Sequence, residues 1–220
     1  VIVGAAFLTV PLVIEGAAQG PPPVFQGGPP PPIRVPRAGS PIRVDGVLDE
    51  AAWANAVVIP VNIEFRPGEN TPAPVETTCL LTYDDRALYA AFRAADPRPA
   101  EIRAHLSDRD QAFRDDNVGI LLDTFDDQRR GFQFFVNPLG VQMDSSVTDI
   151  SGGDESEDES WDAIWDSAGR ITAAGYEVEI AIPFTTLRFV GGDALKVWGF
   201  AAVRNHPRSV RAGYLSVPVR

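Results

Sequence analysis

The 220-residue chain has one cysteine, one methionine and two histidines, and each scarcity excludes something. A single thiol, Cys79, cannot close an intramolecular disulfide or build a cysteine-rich metal centre. In its strand-like surroundings it reads as inert core. His105 and His206 are isolated, and no HExxH, Ser/His/Asp arrangement or glycine-rich phosphate loop occurs. Basic residues number 19 against 30 acidic ones, for a net charge of -11. Nucleic acid, which needs clustered Lys and Arg, is therefore not an expected partner, and cations or neutral ligands fit better. No apolar run reaches the roughly 20 residues of a membrane helix. No repeat of about 20 to 50 residues is visible, and after the first segment no helix of about ten residues or more is indicated.

What is present is a series of short apolar or alternating runs bounded by turn residues, the pattern of an all-β chain. The richest stretch, from Asp115 to Asp144, holds three runs at 118–122, 132–136 and 141–143, separated by polar turns at 126–131 and 137–140. It predicts a meander whose first two strands are central and buried. Residues 77–83 and 87–94, joined by Asp84-Asp85-Arg86, predict a hairpin that Asp96-Pro97 ends. Residues 57–65 predict one half-buried strand. Residues 176–182 predict another, with Glu177, Glu179 and Ala181 on a wet face, and 198–204 predict the last. Asp45-Gly46 marks a turn, Asp49 a cap for a short helix carrying Trp53 into the core, and 102–106 a helical turn over a sheet edge. The sum is one domain, an antiparallel β-sandwich of immunoglobulin or jelly-roll type over residues 41–205.

The flanks have a different composition. Residues 1–14 are apolar and lead through Glu15 to the small residues Gly16, Ala17 and Ala18, which predicts a signal peptide over residues 1–18. With neither an initiator Met nor a basic start, the gene product is expected to begin upstream. Proline-rich sequence follows and predicts an extended linker over residues 19–40. His206-Pro207 breaks the last strand pattern, and residues 206–220 read as a tail leading to a further region. Export is the expectation, to the periplasm, the cell envelope and outer membrane, or the medium.

The run DDNVGILLDTFDDQRRGFQFFVNPLGVQMD, with IRVDGVLDEAAW before it and SWDAIWDSAGRITAAGYEVEIAIPFTTLRF after it, resembles the family 9 carbohydrate-binding modules over roughly residues 41–204. The resemblance is to the variety found at the N-terminus of bacterial envelope proteins whose C-terminal part is an outer-membrane β-barrel. It implies a β-sandwich that binds sugars and often calcium, with such a barrel as a partner in the same polypeptide. It also implies tryptophans facing a sugar, supported by polar side chains. Trp161 and Trp165, four residues apart, are the aromatic candidates, with Trp165 expected inside beside Ile164 and Trp161 nearer solvent. Arg114, Asp115, Asp116 and Asn117 at the entry to the central strand, with Gln133 and Asn137, are the polar candidates. Asp115-Asp116 reads equally as a strand-starting turn, and 137–140 as a tight turn.

Between Asp144 and Asp166 lie Asp149, Asp154, Glu155, Glu157, Asp158, Glu159 and Asp162, with no basic residue. Such density calls for a hard cation with oxygen ligands, calcium outside the cytoplasm, or for a solvated acidic loop. Asp144, Asp158 and Asp162 are the metal candidates there. Asp45 and Asp49 are a second pair, which the family resemblance puts forward for structural calcium. Three functions follow in order: a secreted or envelope module that binds poly- or oligosaccharide as an accessory to carbohydrate catabolism, an outer-membrane ectodomain that binds no sugar, and a glycoside hydrolase. An enzyme is not expected.

Overall fold

Short segments of two to ten residues, most of them apolar or alternating, form fifteen strands among the described residues, with only two short 3-10 turns, Ala51–Asn55 and Pro99–Glu101. The computed structural model describes residues 10–14, 32–149, 155–189, 196–208 and 212–216. The strands are β1 (Val10–Ile14), β2 (Ile33–Val35), β3 (Val57–Pro60), β4 (Ile63–Arg66), β5 (Thr71–Pro72), β6 (Thr77–Tyr83), β7 (Ala87–Ala95) and β8 (Asn117–Asp123). They continue with β9 (Arg130–Val136), β10 (Gln142–Asp149), β11 (Glu155–Asp158), β12 (Asp166–Thr172), β13 (Gly175–Pro183), β14 (Val197–His206) and β15 (Ala212–Leu215).

Two sheets face each other as an open β-sandwich. The larger has the order β11-β10-β9-β8-β14-β15-β4-β5, with β1 and β2 joined to it beside β14, and the smaller is β12-β13-β7-β6-β3. Every pairing is antiparallel except that of β1 with β2. The predicted meander is β8, β9 and β10, in register Ile120 with Phe134 and Asp144 with Phe134. Period-2 alternation sends Ile120, Leu122, Phe134, Val136, Phe200 and Ala202 inward against Leu81, Phe92, Val178 and Ile180 of the other sheet. Cys79 lies in this core, where burial pushes its thiol pKa up and keeps it unreactive.

Several expectations need correction. The strand predicted over 57–65 is two, β3 in the smaller sheet and β4 in the larger. Pro60 has no N–H to extend the ladder, and Val61, fully buried, crosses between the sheets with its N–H on Thr77 O at 2.9 Å. Alternation runs unbroken through the crossing because Ile59 and Val61 both face the common core. Residues 102–106 form no helical turn, and the 3-10 turn at Ala51–Asn55 has Glu50, not Asp49, at its N-cap, with no side-chain cap.

The face of β13 read as wet is covered. Glu179 is fully buried and accepts the Asp45 and Gly46 N–H groups at 2.8 Å each and Trp53 Nε1–H at 3.0 Å, which pins the segment carrying Ile42, Val44, Leu48 and Trp53 onto that face. Burial raises the Glu179 pKa above the usual carboxylate range. A polar residue at an alternating position looks exposed unless the segment that covers it can be placed.

Both predicted flanks contribute to the fold. Within the proposed linker, Ile33–Val35 forms β2 with Val35 fully buried, and Ala38 N–H bonds Tyr83 O at 2.8 Å. Residues 15–31 lie outside the described residues. Val10–Ile14 of the proposed signal segment is a strand, with Val10 opposite Phe200 and Leu12 opposite Trp198. The predicted tail supplies β15, which lies between β14 and β4 and buries Tyr214 completely. Its signal, the tetrapeptide Ala-Gly-Tyr-Leu, is too short to show alternation.

One end of the sandwich holds a buried ionic network. Arg204, fully buried, donates from Nη1 to Thr77 Oγ1 and Ala95 O, both at 2.8 Å, and lies 3.9 Å from Asp96. Arg208 pairs with Asp96 and lies 3.7 Å from Asp116. His206 sits among them, and desolvation together with the two arginines depresses its pKa to about 4 from the ordinary 6.5. As pH falls below 6.5 the unfolded chain takes up this proton first. The stability that neutral His206 allows is present above pH 6.5 and is lost down to about pH 4. His206→Gln should therefore remove up to about 1.4 kcal/mol of destabilisation per pH unit across that window. Urea melts of both proteins at half-unit pH steps check this, and parallel curves would show that His206 does not titrate there.

Candidate functional site

The outward positions of the larger sheet carry a second apolar layer: Leu121 of β8, Phe135 of β9, Met143 of β10, Ala201 and Val203 of β14, and Leu215 of β15. The connection from 103 to 116 crosses this face and lays Ala112 and Phe113 on it. Where it meets the ends of β4, β14 and β15 it leaves an open groove of about 500 Å³ lined by Arg66, Arg103, Phe113, Arg114, Asp115, Phe135, Glu159, Asn205, Pro207 and Ala212. Phe135 forms part of its floor and Phe113 part of its wall, edge to face at 6.4 Å. Phe135 lies over Gly119, where an added Cβ would stand 2.3 Å from the ring.

Two adjacent carboxylates fix the wall. Asp116 Oδ2 accepts Arg103 N–H at 2.9 Å, while Asp116 N–H donates to Arg103 O at 2.9 Å. Asp115 Oδ2 accepts His105 N–H at 2.7 Å and Asn137 Nδ2–H at 3.0 Å, and His105 Nδ1 lies 2.7 Å from its Oδ1. Asn137 also donates to His105 O, and its own Oδ1 accepts the Leu139 and Val141 N–H groups, which closes the tight turn after β9. Asn117 Nδ2 donates to Asp115 O, Asn205 Nδ2 to Asn117 Oδ1, and Arg66 reaches Asn205 Oδ1 at 3.5 Å. Burial raises the Asp116 pKa, while its backbone bond and the two nearby arginines oppose that shift.

The candidates from sequence thus separate. Arg114 and Asp115 line the groove. Asp116, Asn117 and Asn137 are fully buried and act as supports behind it. Gln133 is buried on the same outer face, between Leu121 and Ser145. Trp165 is core, as expected, edge to face with Phe134 at 5.3 Å, but its neighbour Ile164 points out and is 84% exposed. Trp161 is half-buried, 4.8 Å from Phe132 and 5.9 Å from Phe134, and is not among the groove-lining residues. The groove aromatics Phe113 and Phe135, with Arg66, Arg103 and Asn205, were not singled out from sequence. Arg-Pro and Asn-His junctions at strand ends give no sign of converging.

Among the metal candidates, Asp144 and Asp162 come together with Asp110. Arg109 occupies the middle of that group. It bonds Asp144 Oδ1 from Nε at 2.8 Å and from Nη2, and lies 3.4 Å from Asp162 and 3.8 Å from Asp110. Asp144 Oδ2 accepts Ala163 N–H and Asp110 Oδ1 accepts Asp144 N–H. The oxygens a hard cation would need are thus committed to a guanidinium and to backbone, so these residues do not fit a calcium site with Arg109 in place. Asp158 is apart from them and bonds Ser160. Asp45 and Asp49 do not converge with a third ligand among the described residues: Asp45 closes a turn on Val47 N–H and lies 3.5 Å from Arg43. The middle of the acidic stretch, 150–154, lies outside the described residues.

Comparison with known proteins places this architecture. A carbohydrate-binding module of family 9 from Caldicellulosiruptor kristjanssonii in complex with cellotriose is similar over 82% of this chain and 81% of its own, at 19% identity and a TM-score of 0.53. The module from that organism in complex with glucose gives 82% and 83%, 19% identity and 0.52. A putative carbohydrate-binding protein from Bacteroides uniformis gives 82% and 86%, 14% identity and 0.60. No curated protein sequence matches the chain. The model of the carbohydrate family 9 binding domain-like family matches residues 44–216, nearly the whole of the two sheets, and the chain belongs to that family of non-catalytic modules.

Proposed function

We propose that this protein is a carbohydrate-binding module that holds an oligosaccharide or a polysaccharide chain in the groove on the outer face of the larger sheet. The observation that carries this is the pairing in one open groove of a half-exposed aromatic wall, Phe113, with the polar groups Arg66, Arg114 and Asn205 on a wall pinned by buried carboxylates. Sugars present C–H faces that pack on aromatic rings and hydroxyls that need oriented partners. The cellotriose and glucose complexes of structurally similar modules support the ligand class. Phe113→Ala should weaken binding of cello-oligosaccharides or other glycans found on an array about tenfold to a hundredfold, with a smaller loss of stability than Trp161→Ala. Trp161→Ala, which removes packing on Phe132 and Phe134, should cost about 3 kcal/mol of stability. Calorimetric titration and thermal melts on both variants check this. Affinity lost in Trp161→Ala alone, with melting unchanged, would move the site to Trp161.

Calcium enters this reading only through the Asp110, Asp144 and Asp162 cluster, where Arg109 is the resident cation. Arg109→Gln leaves the buried Asp144 without its guanidinium and should cost about 3 kcal/mol. Millimolar calcium should restore part of that loss in the variant and raise its melting temperature more than that of the parent. Melts in calcium and in EDTA measure both effects. An equal calcium response in the two proteins would place any bound ion elsewhere.

An exported protein that serves carbohydrate catabolism at the cell envelope is the setting this reading favours, since polysaccharides taken from the surroundings are too large to enter a cell intact. The apolar and small-residue sequence of residues 1–18 supports it. Removal of that segment would also remove β1 from its place beside β14. Mass spectrometry of protein recovered from envelope and medium is expected to find chains that start near Gln19. Mature chains that retain Val10–Ile14 would assign the segment to the fold instead.

A further inference from the structure

The groove is cationic in an acidic protein. Arg66, Arg103 and Arg114 line it, against the carboxylates of Asp115 and Glu159, while the chain as a whole carries a net charge of -11. Of the two acids, Asp115 is only 5% exposed and both its oxygens are held by His105 and Asn137, so it is committed to the wall. Glu159 is exposed and in no ion pair among the described residues. Several surface arginines are satisfied by neighbours, Arg98 by Glu101, Arg130 by Asp127 and Arg170 by Glu177, while Arg129 and Arg188 enter no ion pair among the described residues but lie outside the groove. Arg103 and Arg114 are the unpaired arginines that line it. Both are exposed, and among the described residues neither guanidinium has a carboxylate within ion-pair distance. Their backbones are nevertheless fixed, Arg103 by its reciprocal bonds with Asp116 and Arg114 by its place next to Asp115.

A neutral sugar uses arginine through hydroxyl contacts. A guanidinium held without a counter-charge beside an aromatic wall is better matched by a carboxylate or a sulfate ester, which it meets with two parallel charge-assisted hydrogen bonds, about twice as strong as neutral ones. The repulsion from the protein's other acids is screened beyond about 8 Å at physiological salt, whereas contacts inside the groove are screened much less. We infer that the groove selects an acidic glycan, one whose rings carry anionic substituents placed to meet Arg103 and Arg114. This rests on the sugar-binding reading above and narrows it to a substrate class.

The test compares ligands that differ only in charge. Oligogalacturonate and its fully methyl-esterified form share one backbone, and a sulfated oligosaccharide and its desulfated form share another. Calorimetric titration of the full chain is expected to give at least tenfold tighter binding to the charged member of one pair. The pair that shows it identifies the anion as carboxylate or sulfate. In Arg103→Gln/Arg114→Gln the ratio of affinities within that pair should fall to about one, with an unchanged melting temperature because neither side chain is bonded within the fold. A preference that survives in the double variant overturns the assignment of these two arginines. Equal or tighter binding of the neutral members, or of cellotriose, overturns the acidic preference while the sugar-binding reading stands. No binding to any member of either pair or to cellotriose overturns both.

Discussion

Asp96, Asp116, Arg204 and Arg208 are withdrawn from water within one small volume, and the architecture at that end of the sandwich follows from keeping them paired. A buried charge stripped of its partner costs about 3 to 5 kcal/mol. So β7 has to end where Asp96 meets Arg208, β14 has to bring Arg204 beneath Ala95, and β8 has to begin directly after Asp116. Asp116 then fixes residue 103 through both of its backbone polar groups, and Asp115 fixes residue 105. The groove wall takes its position from these buried charges. Such a network contributes little net stability compared with an apolar core of the same shape. What it contributes here is a defined location for an otherwise irregular connection.

Strands with a sustained apolar run or a clean alternation are legible in the sequence, because that pattern is local. β8, β9 and β13 fall within a residue or two of where their apolar runs place them, and the β6–β7 hairpin is marked by its Asp-Asp-Arg turn. Elements whose reason for existing lies elsewhere in the chain were not legible. The change of sheet between β3 and β4 keeps the same alternation on both sides, so no local signal records it. Glu179 reads as a solvent residue until residues 42–56 are laid over it. β15 is four residues long and exists because β14 and β4 offer it two edges.

The site divides in the same way. Arg114 and Asp115 were found because they sit at the mouth of a strand whose identity was plain. For Trp161 the sequence gives only its place beside an acidic stretch, and the packing on Phe132 and Phe134 that half-buries it is visible only in space. The acidic stretch shows the same limit: charge counted along the chain omits Arg109, which arrives from a segment more than thirty residues before Asp144 and takes the central place among Asp110, Asp144 and Asp162. Local density of one charge predicts a need for its opposite. It does not say whether an ion or a side chain meets that need.

Gly119 gives the groove its depth. Phe135 can keep its place on the floor because β8 has no side chain beneath the ring, where even a methyl group would meet it at 2.3 Å. The hollow is therefore in part a negative impression of one missing carbon in the strand below. Alanine at this position would press on the ring from underneath and, at 2.6 Å from Phe134 O, on the backbone of β9 as well. The depth of the groove and the bareness of the central strand at Gly119 are thus a single property of this fold.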